Sequence, residues 1–340
     1  MADVESALSW LDTEQRNVLD RYYQAAGSPL AGSALLPELT LALFGYHESR
    51  SRWVEMRELS VGSVERAEKL DLPLMAAWLE HDRAIPQVEN GSLDAAVHLF
   101  KALELFRALS DGLGQARCYT SATHVLGRLD RVPEALELGI EALRLSQELG
   151  DKTIEGVSYI ALGGLYDRNA DFALADEAFE RGIALAEIAG DARSLAKRYL
   201  NIGFSHLLVG RVDDAVGPLL QSIETGRRAK NSDLQSQGLQ CLAPVFTSRG
   251  QYEKAHEAIE EGINLIRPLG NRLREGCFIL EHGKACAAAS DIPAAIRYVE
   301  AAIAVLHNIS PHIEAAAVEL LELVRRGDHY AYSFDDSQVR

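Results

Sequence analysis

The sequence predicts an all-α protein made of a repeated helical pair. When the 340 residues are written in rows of forty, the same residue classes fall in the same columns from about residue 71 to residue 316, without an insertion or deletion. An unbroken period of this length is typical of stacked helical repeats. One column is alanine, at Ala95, Ala135, Ala175, Ala215, Ala255 and Ala295. A second column holds small residues, at Ala76, Ala116, Gly156, Ala196, Ser236, Gly276 and Ala316.

Each forty-residue unit contains two stop signals, which divide it into two helices of about 17 residues. Between units, Gly150 suits the left-handed residue that ends a helix, and Asp151 suits the N-cap of the next helix. Within units, Asp130 and Gly210 mark the second joint. We therefore expect each unit to hold a helix A followed by an antiparallel helix B.

The two ends of the chain depart from the repeat and predict capping elements. The opening helix is expected to stop at Gly27-Ser28-Pro29. In chain order, the prediction is an N-terminal capping helix over 1–30, a degenerate helical pair over 31–70, six repeats over 71–310, a C-terminal capping helix over 311–326 and a flexible tail over 327–340.

One unit carries the spacing of a known repeat, L-G-x2-Y-x8-A-x3-F-x2-[AG]. The matching residues are Leu162, Gly163, Tyr166, Ala175, Phe179 and Gly182. This spacing resembles the tetratricopeptide repeat, although the period is 40 residues instead of the usual 34. The resemblance implies a right-handed α-α superhelix, a tetratricopeptide-type solenoid of about seven helical pairs plus the two caps. It also implies that the A helices line the concave face.

The opening helix carries a second resemblance. It rests on Ala7, Trp10, Leu11, Glu14, Asn17 and Leu19. Their spacing is similar to the segment that introduces the C-terminal tetratricopeptide array of SARP-type and MalT-like bacterial regulators, which contain NB-ARC (STAND) ATPase domains. The resemblance implies a sensor module, either excised from such a regulator or stand-alone. ATP hydrolysis and DNA binding are not implied, because the sequence contains no G-x4-G-K-[ST] phosphate loop and no winged-helix pattern.

Composition argues against several function classes. With 34 Lys and Arg against 50 Asp and Glu, the net charge of −16 disfavours direct binding to nucleic acid. The four cysteines form no Cys-x-x-Cys pair, which argues against a disulfide scaffold or a thiolate zinc site. The sequence predicts no membrane span and no secretion signal, so we expect a cytoplasmic protein. We also expect no cofactor.

The search for catalytic and metal-binding patterns predicts neither. His256-Glu257-x2-Glu260 resembles half of a helical metal site, but its second histidine is missing, so a solvated acidic face is expected. Cys277 and Cys286 are nine residues apart, on opposite sides of one helix, and Cys286 is expected in the core. We therefore predict a protein that is not an enzyme and has no metal site.

Several residues depart from the helical pattern. His206 is expected to be a hydrogen-bonded core or groove residue. Asp82 and His282 fall in an apolar column, so each is expected to find a local partner, with a buried site as the alternative. Pro218 and Pro244 lie inside predicted helices and predict local kinks that reshape the groove, with kinks that only accommodate packing as the alternative.

Charge separates between the two kinds of helix. Five A helices contain ten basic and five acidic residues, a net of +5, whereas five B helices contain nine basic and nineteen acidic residues, a net of −10. Since the resemblance places the A helices on the concave face, we predict a basic groove that attracts an anionic ligand. The residues expected to line it are Arg117, Ser121, His124, Arg128, Asp167, Arg168, Lys197, Asn201, Phe204, Leu208, Gln237, Cys241 and Lys284.

The main functional hypothesis is a protein-interaction or sensor module of a bacterial transcriptional regulator, whose partner is a peptide or protein segment with acidic side chains or a free C-terminus. One alternative is a stand-alone scaffold or a homodimer, in which the tail residues Tyr330, Tyr332 and Phe334 dock on a neighbour or fill the chain's own groove. Another alternative is a small-molecule sensor, for which a closed pocket would be expected in place of an open channel. The sequence does not identify the ligand.

Overall fold

A computed structural model describes residues 4–49, 53–89, 94–190, 192–307 and 309–327, together with Tyr330 and Tyr332. This part of the chain forms sixteen α-helices and no strand. The helices are α1 Val4–Ala26, α2 Leu35–Ser49, α3 Trp53–Lys69, α4 Pro73–Glu89, α5 Asp94–Ala108, α6 Gly112–Arg128, α7 Val132–Leu149, α8 Lys152–Arg168, α9 Phe172–Ala189, α10 Ala192–Leu208, α11 Val212–Arg228, α12 Ser232–Ser248, α13 Tyr252–Ile266, α14 Arg272–Ala288, α15 Ile292–Leu306 and α16 Pro311–Arg326.

The predicted all-α fold is confirmed. Between α1 and α16, the two terminal helices, the described residues form fourteen further helices, and each forty-residue unit from residue 71 onward holds two of them. Pro218 and Pro244 lie inside α11 and α12, as predicted, and Pro86 lies inside α4. Among the described residues, no helix combines the length and the apolar character that a membrane span requires.

The chain divides into two compact units, Met1–Leu165 and Tyr166–Arg340. In the first unit, the helices from α2 to α7 pack in chain order, and α4 also contacts α6. In the second unit, the helices from α9 to α16 pack in chain order. In addition, α12 contacts both α10 and α14, so the first helices of neighbouring pairs lie side by side.

The joints between helices repeat at intervals of twenty residues, and each contains a left-handed residue. Glycine adopts this backbone conformation readily, as Gly150 does with a φ of 69°. The left-handed residues between 110 and 290 are Ser110, Asp130, Gly150, Ala170, Gly190, Gly210, Lys230, Gly250, Gly270 and Ser290. Beyond Gly150, the Asp151 carboxylate accepts a hydrogen bond from the backbone N–H of Ile154 at 2.9 Å, which confirms the predicted N-cap.

The repeated columns form the interior of the array. All six alanines from Ala95 to Ala295 are completely buried. The helices approach closely where the column residue is small: a Cβ added to Gly276 would lie 2.6 Å from the side chain of Leu306. The small-residue column ends earlier than predicted, because Ala316 is exposed on α16. No helical pair follows α16 within the described residues. Its own apolar residues, and not the column, therefore decide which side of this helix is buried.

Candidate functional site

The first helices of the pairs in the second unit present the predicted groove positions on one helical face. On α10 these are Lys197, Asn201, Phe204 and Leu208, whose spacings of four, three and four residues align them. Lys197 is exposed, and the other three side chains are half-buried. We call these four residues the α10 face. The equivalent positions lie forty residues later on α12 and eighty residues later on α14.

The α12 face consists of Gln237, Cys241 and Pro244, all half-buried. Gln237 Nε2 donates a hydrogen bond to Asp233 Oδ2 at 2.8 Å, and Arg274 forms an ion pair with the same carboxylate. Burial raises the pKa of Cys241 to about 12, so its thiol stays protonated at neutral pH. Because α12 contacts α10 and α14, the faces of these three helices are neighbours.

On α14 the position equivalent to Asn201 is covered. Glu281, the counterpart of Asn201, is 8% exposed, and its Oε1 accepts hydrogen bonds from the hydroxyls of Tyr332 at 2.6 Å and Thr247 at 3.3 Å. Its Oε2 lies 3.9 Å from Lys284 Nζ. Burial raises the pKa of Glu281 and lowers the pKa of Lys284. We call Glu281 and Lys284 the α14 face; Glu281, its acidic member, is absent from the predicted list.

The C-terminal segment is what covers the α14 face. Tyr330 packs against the apolar cluster of α14, α15 and α16, and its ring meets the Tyr332 ring edge-on with 6.2 Å between centroids. The predicted tail over 327–340 is therefore docked at these two tyrosines. Phe334 and the prediction of flexibility for the remainder of the tail lie outside the described residues.

Asp167 was predicted to line the groove, but the structure places it in the interior. None of its side chain is exposed. Its oxygens instead bond to His206 Nδ1 at 2.8 Å, Ser205 Oγ at 3.2 Å and Arg211 Nη1 at 2.7 Å. Burial alone would raise the pKa of Asp167, but His206 and Arg211 together lower it below its ordinary value. His206 is thus the hydrogen-bonded core residue that the sequence predicted. The adjacent Arg168 is half-buried.

The positive charge counted on the A helices is only partly available on their faces. Arg198 is 4% exposed, and its Nη1 donates a hydrogen bond to the carbonyl oxygen of Gly182 at 2.5 Å. Arg274 pairs with Asp233, whereas Lys197 is exposed. Counting charge by helix therefore overstates the positive field of the second unit, because it includes cations that point into helix interfaces.

In the first unit, the predicted positions Arg117, Ser121, His124 and Arg128 align along α6 with the same spacing. The two arginines are exposed, while Ser121 and His124 are half-buried. The guanidinium carbon of Arg117 lies 5.5 Å from the ring centroid of Trp78, which is a cation–π contact. This part of α6 therefore presents both charge and an aromatic surface.

Ser121 belongs to a short hydrogen-bonded chain. His81 Nε2 is hydrogen-bonded to Ser121 Oγ at 3.3 Å, and His81 Nδ1 to Asp82 Oδ1 at 3.1 Å. Asp82 thus has the local partner that was predicted. The residue types resemble a hydrolytic triad, but Ser121 lies in the middle of α6, whose backbone N–H groups are bonded along the helix. The interior of α6 therefore offers no free backbone N–H groups to an oxyanion at Ser121.

A cavity of about 390 Å³ lies in the first unit, between α3 and α5. Its polar lining includes Glu68, Asp71, Lys101 and Glu104. Lys101 Nζ bonds to Glu68 at 2.8 Å and to Glu80 at 2.6 Å. The lining contains none of the predicted groove residues, and its excess of carboxylates does not suit an anionic small molecule.

Three possible metal ligands meet in the second unit. His256 on α13 and His282 and Cys286 on α14 each place one ligand atom within 4.8 Å of the other two. Burial, with the charges of His256 and Arg297, lowers the pKa of His282 to about 4, and burial raises the pKa of Cys286 to about 11. His282 also stacks on Tyr298, with 3.8 Å between ring centroids. Spacing along one helix could not reveal this cluster, because its members come from two helices.

Residues 122–188 match the tetratricopeptide repeat family. Among curated proteins, the chain is similar to the 43 kDa receptor-associated protein of the synapse from Tetronarce californica, with 27% identity over 173 residues. The match covers 49% of this chain and spans only 41% of that protein.

Solved structures share the fold at low sequence identity. A signal transduction ATPase with numerous domains (STAND) from Pyrococcus horikoshii, which has a tetratricopeptide repeat sensor, aligns over 98% of this chain and 51% of its own, with a TM-score of 0.59 and 15% identity. A Rap protein in complex with competence and sporulation factor aligns over 91% of this chain and all of its own, with a TM-score of 0.54 and 12% identity. At these identities the likeness concerns the fold alone.

Proposed function

We propose that this chain, a tetratricopeptide-repeat protein, is a non-catalytic interaction module that binds an extended peptide segment of a partner on its α10 and α12 faces. The observation that carries the proposal is the position of Tyr332. A segment of the chain itself lies on the equivalent α14 face, where the tyrosine hydroxyl reaches Glu281 at 2.6 Å. On the corresponding α10 face, the side chain of Lys197 is exposed, and those of Asn201 and Phe204 are half-buried.

The chemistry of the α10 face favours a peptide with carboxylates. Lys197 supplies an exposed ammonium group for an acidic side chain or a C-terminus. Asn201 carries both a donor and an acceptor, which suit a peptide backbone, and Phe204 supplies an apolar contact. The sequence predicted a wide basic groove. The present proposal uses instead a small polar face on α10, where Lys197 is the one exposed cation.

Within this proposal, the chain is the sensor part of a cytoplasmic bacterial regulator. The likeness to a STAND protein with a tetratricopeptide repeat sensor, and to a Rap protein complexed with competence and sporulation factor, supports this role. Binding of the partner segment would alter the packing between successive helical pairs, which contact only their neighbours along the array. An attached or associated domain could respond to that change.

Fluorescence anisotropy with a labelled deca-glutamate peptide tests the proposal, with deca-lysine as the opposite-charge probe. We expect deca-glutamate to bind at low salt and Lys197→Glu to weaken its binding about two- to fivefold, as for one exposed charge. Arg227→Glu is the matched control, because Arg227 is an exposed cation on α11, the second helix of its pair, and its reversal changes the net charge equally. Equal losses for both variants would overturn the proposed location, and preference for deca-lysine would overturn the acidic partner.

A homodimer is the second candidate, and the docked tyrosines favour it. If the segment that carries Tyr330 and Tyr332 exchanged between two copies, each copy would cover the α14 face of the other. Light scattering on the full chain and on a chain ending at Arg326 distinguishes the two cases. A mass that halves on truncation supports the exchange, and an unchanged mass removes it.

A further inference from the structure

We propose that His256, His282 and Cys286 form a zinc-binding site that joins α13 to α14, with one tetrahedral position left for an external ligand. His282 and Cys286 are four residues apart, so they lie one turn apart on the same face of α14. His256 faces them from α13, and its ring centroid is 4.5 Å from that of His282. Ligands from two successive helices would fasten two neighbouring pairs of the array to each other.

The distances are suited to zinc after a small adjustment of the side chains. With Zn–N bonds of about 2.0–2.1 Å and a Zn–S bond of about 2.3 Å, tetrahedral ligand atoms stand about 3.3–3.6 Å apart. The ligand atoms of the three residues already lie within 4.8 Å of one another. Rotation of the side chains can close the difference of about 1 Å, and neither helix has to move.

One ring nitrogen of His256 is left without a hydrogen-bond partner in the part of the chain that the structure describes. Its Nδ1 is buried and has no hydrogen-bond partner among the described residues. A buried polar atom in this state destabilises a fold by about 1–3 kcal/mol, so most such atoms have a partner. A metal ion bound through Nδ1 would supply one.

Comparison with the preceding repeat shows that packing alone does not require these residue types. The three positions forty residues earlier are Val216, Leu242 and Phe246. Those residues pack together in the apolar core of the second unit. Single polar residues occur in these columns elsewhere, at Asp82, Asp176 and His206, but within residues 71–310 only this unit has metal-ligating residue types at all three positions.

Histidine nitrogens and a thiolate favour zinc over calcium or magnesium, which prefer oxygen ligands. On binding, the Cys286 thiol releases its proton to solvent, and the resulting thiolate and two neutral imidazoles coordinate the ion. Two charged residues next to the cluster have opposite signs: Arg297 stacks on Tyr298 at 5.0 Å, and Asp291 caps the start of α15.

Titration of the full chain with Co²⁺ tests the site, followed by displacement with Zn²⁺. We expect one equivalent of Co²⁺ to produce intense visible absorption of a tetrahedral centre and a near-ultraviolet thiolate-to-cobalt band, both lost when Zn²⁺ is added. Cys286→Ser should remove the thiolate band and lower affinity more than about 100-fold, beyond the effect of altering an outer-shell partner. Cys277→Ser and His312→Gln, which lie outside the cluster, should leave both signals unchanged.

A triple variant separates loss of the ligands from loss of the fold. His256→Val, His282→Leu and Cys286→Phe together install the residues of the preceding repeat, so the chain should keep its helical circular dichroism while losing cobalt binding. As a second measurement, one equivalent of Zn²⁺ should slow alkylation of Cys286 but not of Cys277. Absence of stoichiometric cobalt binding to the wild-type chain, or a tetrahedral signal that persists in the triple variant, would overturn the proposal.

Discussion

The α10 face and the α14 face occupy the same repeat position and differ in exposure. On α10, Lys197 is exposed and Asn201 is half-buried. On α14, Glu281 stands where Asn201 does in the repeat, and it is almost completely buried beneath Tyr332. The backbone framework is alike in both places, so the difference comes from the side chains and from the segment that follows α16.

This difference shows that the repeat determines where a binding surface lies but not whether it is available. In the α14 face, the buried carboxylate of Glu281 accepts a hydrogen bond from the Tyr332 hydroxyl and lies 3.9 Å from the ammonium group of Lys284. In the α10 face, an amide and an exposed cation replace this arrangement. The chain's own tail is therefore expected to compete with a partner only near α14.

The largest expected effect lies beneath the α10 face, in the interior. Asp167→Asn should lower the free energy of unfolding by about 3 kcal/mol, because it leaves Arg211 and His206 without their buried anion. Asp176→Asn, which removes an exposed carboxylate 3.2 Å from the same arginine, should change it by less than about 1 kcal/mol. Denaturant unfolding measures both variants. Similar losses would show that Asp167 is not the buried centre of the network.

A second change opens the covered face. Tyr332→Phe removes the hydroxyl that donates to Glu281 and should weaken docking of the tail by about 1.5 kcal/mol, roughly tenfold in population. Acetylation of individual lysines, followed by mass spectrometry, measures the opening. Lys284 should become more reactive, while Lys197, which is already exposed, serves as the internal control. An unchanged Lys284 rate would mean that Tyr332 does not hold the tail.

The buried carboxylate also predicts a dependence on pH. Burial raises the pKa of Glu281 above its ordinary value of 4.5, so the folded chain keeps this proton over a range where the unfolded chain has lost it. The unfolding free energy should therefore fall as pH rises from about 4.5 through the raised pKa, by about 1.4 kcal/mol for each pKa unit. Lys284, Tyr332 and Thr247 face this carboxyl and moderate the shift.

Glu281→Gln provides the reference for this measurement, since glutamine cannot ionise. The difference in unfolding free energy between the wild-type chain and this variant should be small near the low end of the range and should increasingly favour the variant as pH rises. A difference that stays constant with pH would show that Glu281 does not have a raised pKa.

The smallest expected effect concerns the joint after α8, next to Asp167. Ala170 has a φ of 61°, a conformation that alanine disfavours and glycine adopts readily. Ala170→Gly should therefore raise the unfolding free energy by up to about 1 kcal/mol, and Gly150→Ala should lower it by a similar amount. Thermal unfolding checks both. A lower unfolding free energy for Ala170→Gly, or a higher one for Gly150→Ala, would contradict the assigned backbone conformation.

Much of the fold could be predicted from the sequence because its signals are local. The left-handed residues, the Asp151 cap and the buried alanine column each depend on a few neighbouring residues, and repetition at forty-residue intervals makes them distinct from chance. The candidate surface could be predicted only in part. Lys197 and Asn201 align along one face of α10, and their role as a binding surface stays a prediction. Asp167 instead lies in the interior, because one position along a helix turns a side chain by about 100°.

By itself, the sequence determined the number, length and order of the helices, because each is defined by its own caps and apolar period. Only the tertiary structure decided which charges are exposed, that Tyr332 covers the α14 face, and that His256 meets His282 and Cys286. The physical reason is that these features join side chains from different helices or from the tail. Their distances depend on how the helices pack, which no local pattern encodes.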